Sequence, residues 1–231
     1  MGISTGTSDS QKELQALLQK WRKCKRCPLH RHRKIPVEPV GYADEGVGLL
    51  FVIDRLPLST MYGDPLDESN HLWILERLLS HLEDGPCISE LWVTPTALCP
   101  TRSPVPGERA PDMMPLPRTN HIRECRERLH REIHILQPKV VVACGSEALK
   151  ALHVKNPPKY KQAFGTISEV YVQGDLVPYP VPLMTTYALT TLDRSGQSDP
   201  QIWNNIYAHL TTALRISKEL TSLENNDAGK D

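Results

Sequence analysis

The sequence predicts an α/β fold, because short apolar strands alternate with amphipathic helices along the chain. Residues 48–53 form a continuous apolar run, as expected for a central strand that is buried on both faces of a parallel sheet. Residues 72–82 follow with leucines at helical spacing, and residues 91–94 form the next apolar strand. In a fold of this class, ligands are expected at the carboxyl ends of the strands.

The bulk composition is that of an ordinary globular protein. The 231 residues are 39% hydrophobic and 23% charged, which is enough for one large domain with a substantial core. Lys and Arg equal Asp and Glu at 27 each, so any binding to nucleic acid must come from local charge. No stretch of about 18 apolar residues occurs, and the polar start lacks a secretion signal. We therefore expect no membrane span and a reducing, cytoplasmic compartment.

The N-terminal part of the domain predicts a helix that delivers the chain to a cysteine pair. Residues 1–9 are expected to form a flexible tail, and the single domain is expected to span residues 10–223. Ser10 and Glu13 have the Ser-x-x-Glu form of a capping box. The apolar stripe that follows consists of Leu14, Leu17, Leu18 and Trp21.

The middle of the chain contains a strand end, a loop and a long helix. Pro95 ends the strand at 91–94, because proline cannot donate to a central ladder. Residues 100–117 carry six prolines without periodicity and predict a long loop. Residues 120–136 then predict a helix, which carries Cys125 in its first turns.

Residues 138–146 predict a buried strand that ends in a tight turn at Gly145 and Ser146. Such a junction directs backbone N–H groups outward at a helix N-terminus, so it is a candidate anion site. Many turns of α/β folds look the same, and an ordinary structural turn is the alternative. The remaining elements are expected at 147–153, 170–172, 181–186 and 201–223, followed by a disordered tail at 224–231.

Four cysteines are candidate metal ligands. Cys24 and Cys27 form a Cys-x-x-Cys pair, whereas Cys99 and Cys125 stand alone and far apart. In a reducing compartment such a set binds metal more often than it forms disulfides. Thiolates suit both zinc and iron–sulfur clusters. Structural zinc sites usually contain two short cysteine pairs, so this spacing favours a [4Fe–4S] cluster over zinc.

Other residues near these cysteines carry weaker signals. His30 and His32 could replace a cysteine in a zinc site, whereas Cys144 is interpreted as an inert packed thiol and Cys87 gives no signal. Residues 20–34 contain eight Lys or Arg residues and no acid. This basic run is either a solvated surface, a counter-charge for the metal centre, or a phosphate-binding segment that includes Lys25 and Arg26.

The order of these motifs resembles the iron–sulfur branch of the uracil-DNA glycosylase superfamily, its family-four and family-five enzymes. The matching segments are Cys24-Lys25-Arg26-Cys27-Pro28-Leu29, Phe51-Val52-Ile53-Asp54, Gly63-Asp64-Pro65-Leu66, Val93-Thr94-Pro95, Cys99-Pro100-Thr101, Cys125, Pro138-Lys139-Val140-Val141-Val142-Ala143-Cys144-Gly145, and Thr186-Tyr187-Ala188 with Arg194. The resemblance covers residues 12 to about 215. It implies a three-layer αβα fold with a central, mainly parallel four-stranded sheet, and a [4Fe–4S] cluster on the four cysteines.

The resemblance also locates a base pocket that has lost its chemistry. The aromatic position is Leu66, the amide position is Pro95 and the late histidine position is Ala188. Uracil excision requires a stacked, flipped base, an amide that reads its edge and a group that stabilises the leaving base. None of these three residues supplies such a group, which argues against uracil excision. Asp54 alone keeps a carboxylate, either as a catalytic residue or as a strand-end residue that caps a turn.

These features predict an iron–sulfur protein with a glycosylase fold and a degenerate base pocket. It would serve as a DNA-binding or accessory module in replication or repair, with single-stranded or damaged DNA and replication or repair proteins as partners. Arg194 and the Gly145-Ser146 turn would contact backbone phosphate. One alternative is an active DNA glycosylase that removes uracil or another damaged base, with Asp54 positioning water. The other is a protein-interaction scaffold without nucleic-acid contact.

Overall fold

The computed structural model describes residues 8–33, 37–41, 46–57, 60, 66, 70–101, 115–172, 177–195 and 199–228. Its strands are β1 (Val40–Gly41), β2 (Leu49–Ile53), β3 (Trp92–Pro95), β4 (Val140–Cys144), β5 (Ile167–Val172) and β6 (Tyr179–Thr186). Its helices are α1 (Asp9–Arg22), α2 (Asn70–Leu79), α3 (Thr119–Leu136), α4 (Ser146–Leu152), α5 (Tyr160–Ala163), α6 (Leu189–Ser195) and α7 (Pro200–Ala228). The alternation of strands and helices confirms the predicted α/β class.

Within the described ranges, the strands form one six-stranded sheet in the order β1-β3-β2-β4-β6-β5. The parallel strands β3, β2, β4 and β6 form its centre, and β1 and β5 pair antiparallel at the two edges. The predicted strand number of four was therefore wrong for the whole sheet, although it matches the parallel core. Strand β1 has only two residues, too short for an apolar pattern to be visible in the sequence.

Two hydrophobic cores cover the two faces of the sheet, which gives the three layers. In β2, Leu49, Phe51 and Ile53 point into the core formed with α2, α6 and α7. Leu50 and Val52, which alternate with them, point into the core formed with α1, α3 and α4. Every residue of β2 is buried, which explains its continuous apolar sequence.

The two chain ends differ from the sequence expectation. Ser8 caps α1. Its Oγ accepts from the backbone N–H of Gln11 at 3.2 Å, and Gln11 Oε1 accepts from the backbone N–H of Ser8 at 3.2 Å. The capping box predicted at Ser10 and Glu13 is therefore wrong, since the helix begins earlier and Ser8-x-x-Gln11 satisfies the same rule. At the other end α7 continues to Ala228, where a disordered tail from residue 224 was expected.

An ion pair explains why α7 continues. Glu224 accepts from Lys139 Nζ at 2.5 Å, which fastens the last turns of α7 to the start of β4.

Within the described residues, no helix combines the length and the hydropathy that crossing a membrane requires.

A buried ion pair fastens α3 to the end of β3. Arg128 and Glu132 are both fully buried and follow one another by one turn of α3. The distance between Arg128 Nη1 and Glu132 Oε1 is 2.6 Å. Arg128 also donates to the Thr94 hydroxyl and to the Pro95 carbonyl, and Trp92 Nε1 donates to Glu132 at 3.3 Å. These bonds pair both charges in a low-dielectric core, although Arg128 Nε has no partner among the described residues. Loss of either charged residue would therefore leave the other one buried and unpaired.

We expect Arg128→Met to lower the free energy of unfolding by about 3–5 kcal/mol, because it leaves the Glu132 carboxylate buried without its partner. The matched control is Arg215→Met, which removes the same i,i+4 charge pair from the exposed Arg215–Glu219 position. That change should alter stability by less than about 1 kcal/mol. Urea unfolding of the two variants provides the comparison, and equal losses would contradict a structural role for the buried pair.

Candidate metal centre and strand-edge site

The structure brings the four predicted cysteines together. Cys24 and Cys27 lie in the turn after α1, Cys99 lies after β3, and Cys125 lies on α3. All four line one narrow cavity of about 10 Å³, which is partly open to solvent. Cysteines from three separate segments of the chain therefore share one site.

The local backbone explains how the Cys-x-x-Cys pair is presented. The Cys24 amide donates to the Trp21 carbonyl at 3.0 Å, so Cys24 continues the last turn of α1. Cys27 then caps a 3₁₀ turn over Pro28–Arg31. Cys27 packs with Cys99 and Cys125 in a small buried cluster that also contains Leu29 and Ala97.

Burial makes isolated thiolates unfavourable at this site. Desolvation raises the pKa values of Cys27 and Cys99, and it raises the pKa of Cys125 to about 12. The negative charge that each neighbouring thiolate would carry raises them further. Ionisation of the set therefore requires positive charge placed among the sulfurs.

Arg33 supplies part of that positive charge. Its Nη1 donates to Cys99 Sγ at 3.2 Å, and its Nη2 donates to the carbonyls of Arg22 and Cys24 at 2.8 Å each. The guanidinium lowers the pKa of Cys99, opposing the effect of burial. Sequence reasoning placed Arg33 in the basic run but did not identify this contact, because nothing local indicates that a distant cysteine will lie beside it.

Much of the basic run is neutralised by acids from elsewhere in the chain. Arg26 pairs with Glu127 of α3 and lies 5.0 Å from the centroid of the Trp21 ring. Lys20 lies 3.7 Å from the same carboxylate. Lys25 is exposed and keeps its charge at the surface. Lys25 and Arg26 are the two residues of the basic run that were predicted to contact phosphate. Of these, Arg26 is held by Glu127.

Within the described residues, no three His, Cys, Asp or Glu side chains are arranged to close around a single metal ion. The cysteines share a cavity without forming such a tight group. His30, considered above as a substitute ligand, also lines the cavity, but its Nδ1 is 2.7 Å from the Cys27 carbonyl oxygen.

A second site lies where the parallel strands end. Asp54 directly follows β2, Gly145 follows β4, and Tyr187 follows β6. The Thr96 hydroxyl donates to the Asp54 carbonyl at 2.9 Å, and the Gly145 amide donates to the Thr186 carbonyl at 3.1 Å. The carboxyl ends of four strands thus meet at one edge, as predicted for this fold class.

Gly145 allows the Asp54 carboxylate to lie against the backbone. Gly145 has φ of 100°, and a Cβ placed there would stand 2.6 Å from Asp54 Oδ2. Only glycine fits this position without strain or collision. The turn therefore already has a carboxylate beside it, and Glu147 adds a second acid in the first turn of α4. Both charges oppose the phosphate contact expected at Gly145 and Ser146.

The Asp54 carboxyl group titrates close to neutral pH. Burial raises its pKa from 3.8 to about 6, and the negative charge of Glu147 adds to this effect. Arg55, whose Nε lies 3.5 Å from Asp54 Oδ1, partly opposes it. Nearby His71 is also buried, and its pKa falls to about 4 because of burial and the Arg55 charge. A buried carboxyl group of this kind is able to exchange a proton at physiological pH.

The three positions that the resemblance assigned to a base pocket carry no polar side-chain group. Leu66 is 1% exposed and belongs to the core beneath α2. Pro95 is buried at the end of β3, and Ala188 is half-buried just after β6. Gly63, Asp64, Pro65, residues 102–114 of the proline-rich loop, and the side chain of Arg194 lie outside the described residues.

An aromatic cluster beside this edge was missed by the sequence reasoning. Phe164 packs edge-on against Tyr187 with ring centroids 4.5 Å apart, and against His209 at 5.0 Å. Tyr160 donates to the Thr186 carbonyl at 2.8 Å. The only local signal was the i,i+4 spacing of Tyr160 and Phe164, which does not identify the strand they approach.

Comparison with known proteins identifies one family. The family model described as the uracil DNA glycosylase superfamily matches residues 8–205, which is most of the 231-residue chain. No curated protein matches the sequence.

We expect Asp54→Asn to raise the free energy of unfolding by about 1–3 kcal/mol near pH 8. The folded-state pKa of about 6 lies above the unfolded value of 3.8, so the folded chain holds the extra proton between these values and loses stability as pH rises through them. The gain should therefore shrink towards pH 5. Urea unfolding at both pH values tests this, with the exposed Asp84→Asn as control. A loss of stability at pH 8 would instead identify the carboxylate as a structural cap.

Proposed function

Because the chain belongs to the uracil-DNA glycosylase superfamily, we propose that it is an iron–sulfur member with a degenerate base pocket that binds DNA as an accessory module in replication or repair. The glycosylase-like character follows from the family. We propose three finer properties: the cluster, the loss of uracil excision and the accessory role.

The convergence of Cys24, Cys27, Cys99 and Cys125 on one cavity supports the cluster. Buried thiols with raised pKa values ionise readily only when cationic metal lies among them. When bound, an iron–sulfur cluster would supply that charge. The protein contributes four sulfurs from three segments and the Arg33 donor at Cys99 Sγ, a contact of the kind that tunes such centres.

The spacing of the cysteines along the chain supports a cluster rather than a zinc ion. Tetrahedral zinc with bonds of about 2.3 Å requires its sulfurs to lie roughly 3.8 Å from one another. A [4Fe–4S] core is larger, because each thiolate binds a different iron. Structural zinc sites usually contain two short cysteine pairs, whereas this chain has one such pair, Cys24 and Cys27, and two isolated cysteines, Cys99 and Cys125.

The residues at the strand edge support the loss of uracil excision, and this observation carries the functional proposal. Leu66 has no aromatic face for a flipped base, Pro95 has no side-chain amide, and Ala188 cannot polarise a carbonyl. Loss of one such group typically slows catalysis by about 100- to 1000-fold. The Pro95 carbonyl is also occupied, because it accepts from buried Arg128.

One observation favours an active enzyme as the second candidate. Asp54 is a buried carboxyl group with a pKa of about 6, next to the aromatic cluster of Tyr160, Phe164 and Tyr187. Such a group could position or activate water for a different damaged base. This candidate requires a pocket that differs from the one of the uracil-excising relatives.

We expect Cys125→Ser to lose most of the iron and acid-labile sulfide that the anaerobically purified wild-type protein carries. A hydroxyl group replaces one thiolate ligand, and the remaining three sulfurs hold the cluster poorly. The controls are Cys144→Ala and Cys87→Ser, because Cys144 lies at the end of β4 and Cys87 is exposed, and neither lines the cavity. Zinc in place of iron, or full iron retention in Cys125→Ser, would contradict the cluster.

We expect the cluster-loaded protein to release uracil from single- or double-stranded DNA at least about 100-fold more slowly than an active superfamily enzyme under the same conditions. Quantified free uracil is the measurement. Robust release would refute the degenerate pocket. The second candidate is tested with duplexes that carry deaminated or alkylated bases, and excision that disappears in Asp54→Ala would favour it.

A further inference from the structure

A groove between α2 and α7 presents aromatic rings and one cation to solvent. It measures about 420 Å³ and is lined by Arg77, His81, Pro200, Trp203, Asn204 and Tyr207. Trp73, on α2 beside Arg77, is 56% exposed. We name the set of Trp73, Arg77, Trp203 and Tyr207 the aromatic platform.

The side chains of the aromatic platform form a continuous stack. The Arg77 guanidinium lies 5.5 Å from the centroid of the Trp73 ring and 5.6 Å from that of Trp203. Trp203 and Tyr207 follow with ring centroids 6.0 Å apart and planes inclined by 31°. The cation–π contacts hold Arg77 between two indoles, so ring faces and a guanidinium plane are pre-organised next to one another.

Helix α7, which carries Trp203 and Tyr207, also contacts the edge where the parallel strands end. Trp203 lies in the first turn of α7, and Asn205 of the next turn donates to the Tyr187 hydroxyl at 3.4 Å. Tyr187 belongs to the aromatic cluster beside the strand end. Helix α7 therefore carries both part of the platform and a contact to the strand-edge site.

We propose that the aromatic platform binds single-stranded DNA by stacking unpaired bases on the rings of Trp73 and Trp203, with Arg77 held between them. This inference rests on the proposed DNA-binding function and assigns a surface to it. Aromatic faces stack on any base, and an adjacent arginine pairs with the phosphate backbone. Among the described residues, the groove lining includes Arg77 and no carboxylate, which suits a polyanion.

The chemistry of the groove favours nucleic acid over a protein partner. Trp, Tyr and Arg also dominate protein interfaces, but there they are surrounded by further apolar contact surface. The other exposed large apolar side chains among the described residues do not line the groove; they are Leu116, Val154, Ile167, Tyr171, Val177 and Leu223. The groove lining includes the polar side chains of His81 and Asn204. These polar groups suit the edges of a stacked base.

Fluorescence anisotropy with two labelled oligonucleotides of equal length tests the proposal on the full, cluster-loaded chain. One is oligodeoxythymidylate, and the other carries the same backbone with abasic sites. Trp73→Ala should weaken thymidylate binding by roughly 5- to 100-fold and leave abasic binding nearly unchanged, because only the first ligand stacks. Trp73 is largely exposed, so the variant should fold, and circular dichroism checks this.

Two further variants sharpen the result. Tyr171→Ala removes an equally exposed aromatic ring from edge strand β5 and should leave both affinities unchanged. Arg77→Gln should weaken both ligands and reduce the salt dependence of log Kd by a slope of about 0.7.

Each outcome separates this inference from the proposed function. Wild-type binding that Trp73→Ala leaves intact, or that falls equally for both oligonucleotides, would overturn the platform and leave DNA binding in place. Absence of binding by the wild-type protein at low salt would overturn both proposals and favour a protein-interaction scaffold.

Discussion

Desolvation of three thiols, Cys27, Cys99 and Cys125, is the constraint on which the N-terminal half of the molecule depends. The turn after α1, the loop after β3 and helix α3 meet at Cys24, Cys27, Cys99 and Cys125. A shared metal centre would make these contacts covalent. The buried Arg128–Glu132 pair lies one turn beyond Cys125 on α3 and binds the end of β3, so the two segments that carry the single cysteines are already held in register.

The strand edge shows a different balance of forces. The scaffold is retained there, since Gly145 still admits the Asp54 carboxylate against its α-carbon. At the three positions that our proposal assigns to the base pocket, the chain has the apolar residues Leu66, Pro95 and Ala188. A carboxyl group whose pKa is raised by burial destabilises the fold above that pKa, and proteins usually keep such groups at functional sites. The strand edge therefore combines the buried acid Asp54 with side chains that offer no polar group to a base.

Folding neutralises part of the local charge excess in the N-terminal segment. The basic run of residues 20–34 suggested a strongly positive surface, but Glu127 receives both Lys20 and Arg26, and Arg33 turns inward to Cys99. The cationic groups left for a polyanion are fewer and more scattered than the sequence suggests. Stacking on aromatic rings would therefore contribute more than charge pairing to the binding of a single strand.

The sequence by itself determined the α/β class, the parallel strands, most helices and the cysteines of the candidate metal centre, because apolar periodicity and residue type are properties of one short segment. It did not determine the edge strand β1, the Ser8 cap, the aromatic cluster or the aromatic platform. Only the tertiary structure decided the pKa of Asp54 and the partners of Arg26 and Arg33. Desolvation and Coulomb interactions depend on which distant segments meet, and no local pattern records that.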